Sequence, residues 1–99
     1  MTQHQEDIYI ISNYMGWKLC MPHDGMPERY ILDCGNFYDT HSLDGLSRVW
    51  EKLEVQVTIS SCIVTLTGLG YAYRYQVTEF TTQKAAERVT AKTITELGL

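Results

Sequence analysis

VQVTISSCIVTLTGLGYAYRYQVT, residues Val55 to Thr78, decides how the rest of the chain must be arranged. Val55, Val57 and Ile59 alternate with Gln56 and Thr58. The apolar parity then switches to Cys62, Val64 and Leu66, and switches again to Tyr71, Tyr73, Tyr75 and Val77. Two tight turns account for both switches, because cross-strand partners in an antiparallel pair share a face. A two-residue loop at Ser60-Ser61 pairs Ile59 with Cys62, Val57 with Val64 and Val55 with Leu66. A second at Gly68-Leu69 pairs Leu66 with Tyr71, Val64 with Tyr73 and Cys62 with Tyr75.

Gly68 can take the positive φ that a type II′ turn needs at its first central position. Neither serine of Ser60-Ser61 favours such a φ, so the first connection is either a hairpin loop or a bulge in one long bent strand. Both options give the same change of face. The reading is an antiparallel three-strand meander over about 55–59, 62–67 and 71–78 with one apolar face. The other face carries Gln56, Thr58, Ile63, Thr65, Thr67, Ala72, Arg74, Gln76 and Thr78, a half-solvated surface. The three tyrosines at 71, 73 and 75 are expected to point inward, with their hydroxyls reaching the rim.

Ninety-nine residues with 44% hydrophobic content, seven tyrosines and two tryptophans describe a single folded domain over 1–99, not a disordered chain. The net charge of −4 and only eight scattered Lys and Arg give no reason to expect a nucleic-acid partner, since phosphate backbones are held by clustered cations. No uncharged apolar run approaches the ~20 residues of a membrane span, and MTQHQEDIY lacks the basic and apolar regions of a signal peptide. The expected location is the cytosol. Three cysteines without paired spacing fit reduced thiols, with Cys62 on the core face.

Helices are expected on either side of the meander. Residues 5–15 place Ile8, Ile11 and Met15 on one side, with Glu6 and Asp7 early and Gly16 as terminator, although Ile8 to Ile11 also suits a strand. Short strands near 17–21 and 29–33 flank the Pro22 to Pro27 loop. Phe37 to His41 then leads into a helix over about 43–54, with Ser42 as N-cap and Leu43, Leu46, Val49, Trp50 and Leu53 at helical spacing. A third helix over about 82–97 has Thr81 as N-cap, Phe80 stapled on Ala85, and a thin apolar stripe of Ala86, Val89, Thr93 and Leu97. The fold class is α+β, a two-layer domain in which the helices cover one face of the sheet.

Two stretches carry a resemblance. Ile10-Ile11-Ser12-Asn13-Tyr14-Met15-Gly16-Trp17-Lys18 resembles an opening motif, roughly I-A-E-F-M-G-W, of a group of small uncharacterised proteins encoded by phages and prophages of gut bacteria. Ser42 to Glu54, SLDGLSRVWEKLE, is similar to the central segment of that group, roughly S-W-D-W-L-M-P-V-V-E-K-I-E. It departs at Leu43 and Gly45, where the group has tryptophan, and at Arg48, where proline is common. The resemblance implies a phage-like origin and supplies no catalytic residues.

Cys20, His23, Cys34 and His41 are of zinc-ligand type in a loop-rich region, but their spacing is irregular, and scattered surface residues are the better reading. No metal or cofactor is expected. Gly70 to Tyr75 echoes the aromatic strand on which RNA recognition motifs stack bases, which requires Tyr71 and Tyr73 to face solvent. His41, Ser42 and Asp44 are of triad type but too close in sequence for triad geometry. Gly68-Leu69-Gly70 lacks the Lys-Ser and helix of a phosphate loop, and Glu51 with Glu54 lies on a solvated helix face. The expectation is therefore a non-enzymatic phage-type accessory protein that binds a protein, a homodimer included, through a sheet edge or the face holding Ile63, Thr65, Ala72, Arg74 and Gln76. The alternatives are a nucleic-acid-binding module using Arg74, Lys84, Arg88 and Lys92, and a small zinc-binding domain.

Overall fold

The computed structural model describes residues 2–20, 29–31, 37–39 and 43–99. The fold is α+β. Helix α1 spans Gln3–Met15, β1 Lys18–Cys20, β2 Arg29–Ile31, β3 Phe37–Asp39, α2 Asp44–Leu53, β4 Val55–Ser60, β5 Ile63–Gly68, β6 Arg74–Thr78 and α3 Thr82–Glu96. Among the described residues two antiparallel sheets form, β1-β2-β3 and β4-β5-β6.

α1 begins two residues earlier than the dipole argument alone suggests, because Thr2 and Gln5 form a reciprocal capping box. The Thr2 hydroxyl accepts from the Gln5 N–H at 3.2 Å, and the Thr2 N–H donates to Gln5 Oε1 at 2.9 Å. Gly16 closes the helix in the left-handed conformation, φ 75°. α2 starts at Asp44 with Leu43 in the cap position, where no side chain bonds the helix; Ser42 lies outside the described residues. Phe37–Asp39, read from sequence as a lead-in to this helix, is instead the third strand of the small sheet, paired to β2 with Tyr38 opposite Tyr30.

In the β4-β5-β6 sheet the predicted faces hold and the predicted register does not. Ile59 pairs with Val64 and Val57 with Leu66, a slip of two residues that leaves every paired side chain on its expected side. The two-residue loop is Ser61-Cys62, with Ser61 at φ 55°. Leu66 pairs with Tyr75 and Val64 with Val77, a slip of four. The second connection is therefore a four-residue loop, 69–72, closed by the Gly68 N–H donating to the Tyr73 carbonyl at 2.9 Å. Gly68 does not supply the left-handed conformation there, having φ −69°. Gly70 and Tyr71 do, at φ 68° and 60°.

These slips move two residues off the predicted apolar face. Cys62 sits in the first turn, half-buried, its thiol 3.4 Å from the Phe80 carbonyl oxygen. Tyr71 is in the second loop and is 83% exposed. Tyr73 and Tyr75 keep the inward side, half-buried, their ring centroids 5.6 Å apart. Of the three tyrosines expected inside, two are.

α3 is the central element, packed against β5, β6 and α1. Its apolar stripe is consequently far wider than the spacing of Ala86, Val89 and Thr93 implies: Ala85, Glu87, Thr90, Ala91 and Ile94 are buried too, while Leu97 is exposed. Thr90 and Thr93 bury without loss because each hydroxyl donates to a carbonyl one turn back, on Ala86 at 2.6 Å and Val89 at 2.8 Å. Thr81 caps the helix, accepting from the Lys84 N–H at 3.1 Å. Phe80 makes no staple with Ala85; it is 91% exposed. Val64 and Leu66 of β5 meet Ile8, Ile11, Leu46, Val49, Val89 and Ile94 in the core. Each such side chain contributes about 1.5–3 kcal/mol.

Candidate interaction surface

The face of the β4-β5-β6 sheet turned away from the core carries Gln56, Thr58 and Ser60, then Ile63, Thr65 and Thr67, then Arg74, Gln76 and Thr78. Four of the five site residues expected from sequence come together here. Arg74 and Gln76 are exposed and Ile63 is half-buried. Thr65 is only 6% exposed, because it lies in the central strand with Thr58 and Gln76 as its cross-strand partners. Ala72 is not on this face; the longer loop takes it out of the strand and leaves it exposed beyond the sheet's end.

That loop is the most distinctive part of the surface. Leu69, Gly70, Tyr71 and Ala72 are all exposed, and two consecutive residues are left-handed. A tyrosine at positive φ carries backbone strain of order 1 kcal/mol or more, and here the ring gains no burial in return. The loop is fixed at its base by the Tyr73 ring lying on Gly68. Leu69 and Tyr71 are thus two large side chains held out by a strained but closed connection. Sequence reasoning placed Tyr71 in the core because a two-residue loop was the shortest way to explain the parity change.

A second feature, between α1 and α3, went unseen in the sequence. Glu87 is 1% exposed, and its carboxylate lies 2.7 Å from His4 Nδ1 and accepts from Gln83 Nε2 at 2.8 Å. Asp7, also buried, accepts from Gln3 Nε2 at 3.0 Å and pairs with Arg88 at 3.3 Å. Burial pushes the Asp7 carboxyl above its ordinary value, against the lowering effect of the Gln3 hydrogen bond and the Arg88 charge. Gln3, His4, Asp7, Glu87 and Arg88 line a cleft of about 230 Å³ with Thr2, Glu79 and Lys84. The His4–Glu87 and Arg88–Asp7 pairs each join one helix to the other, an arrangement that fastens α1 to α3. The one hint in the sequence is the flank position of Asp7 beside Ile8 and Ile11; Glu87, inside a long helix, gives none.

The four cations of a nucleic-acid reading are not gathered. Arg74 is on the outer sheet face. Arg88 is spent on Asp7, Lys84 shares its cleft with three carboxylates, and the Lys92 ammonium lies 6.0 Å from the Tyr75 ring centroid on the helix side. Cys20 closes β1, whereas His23, Cys34 and His41 lie outside the described residues. Among the described residues no three His, Cys, Asp or Glu side chains are placed to hold a metal ion, and no helix is long and apolar enough to cross a membrane. No family model, curated protein or solved structure matches this chain.

Proposed function

We propose that the chain is a small, non-catalytic accessory protein of phage type that acts in the bacterial cytoplasm by binding another protein. The observation that carries this reading is Tyr71. It combines 83% exposure with a left-handed backbone and stands beside exposed Leu69. Strain without packing is kept where the side chain is needed elsewhere, and tyrosine is among the residues that anchor interfaces. The neighbouring sheet face, with Arg74 and Gln76 at its rim, supplies the polar surround that such anchors have. The phage assignment rests on the resemblance of Ile10–Lys18 and Ser42–Glu54 to the phage and prophage group.

The test is affinity capture from bacterial lysate at several salt concentrations, comparing the unaltered chain with a Leu69→Ser, Tyr71→Asn variant. Asparagine accepts the left-handed conformation, so the variant keeps the loop and loses the anchors. A protein retained across the salt series by the first and lost by the second supports the reading. Recovery of nothing beyond the chain itself rejects it. Recovery of nucleic acid with steep salt dependence replaces it by the nucleic-acid-binding alternative.

A further inference from the structure

The hydrogen bonds of the sheet fix which backbone groups its outer edge presents. Gly68 donates to the Tyr73 carbonyl, and the Glu79 N–H donates to the Cys62 carbonyl at 3.1 Å. Even-numbered residues of β5 therefore turn their N–H and C=O toward β6, and the odd-numbered Ile63, Thr65 and Thr67 turn theirs toward β4. Their partners are Ser60, Thr58 and Gln56. The N–H and C=O of Val55, Val57 and Ile59 consequently point away from β5, and among the described residues no strand or side chain takes them up.

We propose that this edge of β4 pairs antiparallel with β4 of a second copy of the chain, about a two-fold axis at Val57, to give a six-stranded sheet. The proposal rests on the reading that the chain works through protein contacts, and it names one such partner. The self-complementarity is specific. With Val57 opposite its own copy and Val55 opposite Ile59, every outward backbone group of these three residues meets a counterpart in the hydrogen-bonded geometry. Both helix layers then lie on the same side. The apolar row completes itself: Val55 and Val57 are only half-buried and Ile59 is 44% exposed, because α3 packs mainly over β5 and β6. On the opposite face Gln56 meets Thr58 of the other copy.

β4 has none of the devices that keep an edge strand single. VQVTIS contains no charge, proline or glycine across six residues. The other edge differs, since β6 lies under α3 and carries Arg74. A symmetric pairing also needs no like charges at the axis, and β4 offers none. An interface of one strand and one apolar row is at the small end of the range, so the dimer is expected to be reversible.

The experiment is sedimentation velocity on the purified full chain from roughly 1 μM to 1 mM, the span in which a small interface associates. The expected result is a monomer–dimer equilibrium within that range. Gln56→Lys together with Thr58→Lys sets two like-charged pairs directly opposite across the axis at side chains that are exposed in the single chain, and raises the dissociation constant about ten-fold or more. Gln56→Lys together with Thr58→Glu faces each lysine with a glutamate and restores or tightens the dimer. Circular dichroism of each variant checks the fold; should the double lysine variant fail to fold, the tightening by the lysine–glutamate pair still decides. A chain that stays monomeric throughout, or a dimer indifferent to both pairs of substitutions, overturns the proposal. A monomer that still captures a lysate protein through Tyr71 would leave the broader reading intact.

Discussion

The Tyr73 ring lies on Gly68 so closely that a Cβ there would meet the ring's Cε1 at 2.5 Å. Gly68 has φ −69° and ψ 161°, ordinary extended backbone that alanine adopts freely, so only the ring forbids a side chain. Gly68→Ala is expected to cost about 1–3 kcal/mol through displacement of that ring. In a Tyr73→Ala background the same substitution should cost almost nothing. Urea unfolding of the four proteins in this cycle measures the coupling directly, and additive effects would show that the contact is not what fixes the glycine.

Tyr71 should respond in the opposite way. Its left-handed backbone suits glycine and asparagine, and its ring is solvated, so Tyr71→Asn is expected to leave thermal stability unchanged or slightly raised. Tyr71→Val, β-branched, should lose about 1–2 kcal/mol from strain alone. A large loss on Tyr71→Asn would mean the ring is packed in solution and is not available to a partner.

The contrast between these two tyrosines shows what the sequence could carry. The sidedness of the sheet was legible, because register slips of two and four residues preserve the face of every paired position. The register itself was not. It depends on Ser61 and Tyr71 accepting positive φ, which residue preference argues against, and on Gly68 being used for space instead of for φ. α1 and α2 were legible from the spacing of Ile8 with Ile11 and of Leu46, Val49 and Leu53. The breadth of the buried surface on α3 was not, since Thr90 reads as polar until its hydroxyl is seen bonded to its own helix. Glu87 stayed invisible, and Asp7 showed only its flank position beside Ile8 and Ile11, because the pairs with His4 and Arg88 run between helices at opposite ends of the chain.

Asp7 makes the stability depend on pH in a way that is the reverse of an ordinary salt-bridged carboxylate. Burial holds its folded pKa above 3.8, so the folded state binds the proton more tightly than the unfolded chain. Its contribution is fully present below 3.8 and is lost as pH rises through the raised value. Asp7→Asn removes this dependence while keeping an oxygen that accepts from Gln3. The stability of the asparagine variant relative to the unaltered chain should therefore climb as pH rises from the ordinary carboxylate value toward neutrality. Denaturant melts of both proteins across that interval give the difference. A difference that falls with pH would mean the Arg88 pairing outweighs burial.

Thr90 joins α2 to α3 through a single polar contact. Its hydroxyl accepts from the Trp50 indole N–H at 2.9 Å while donating to the Ala86 carbonyl, so one buried oxygen satisfies an otherwise stranded aromatic donor across two helices. Thr90→Val keeps the shape and removes the acceptor. The half-buried indole N–H then has no counterpart at that point, and a loss of about 1–2 kcal/mol is expected. Thr90→Ser retains both bonds and should recover most of that loss, short of the methyl group's packing. Tryptophan emission provides a second readout that bulk packing alone would not move: with the hydrogen bond gone, the Trp50 contribution should shift in the valine variant and remain in place in the serine variant. Equal emission and equal stability in both variants would show that the indole does not rely on Thr90.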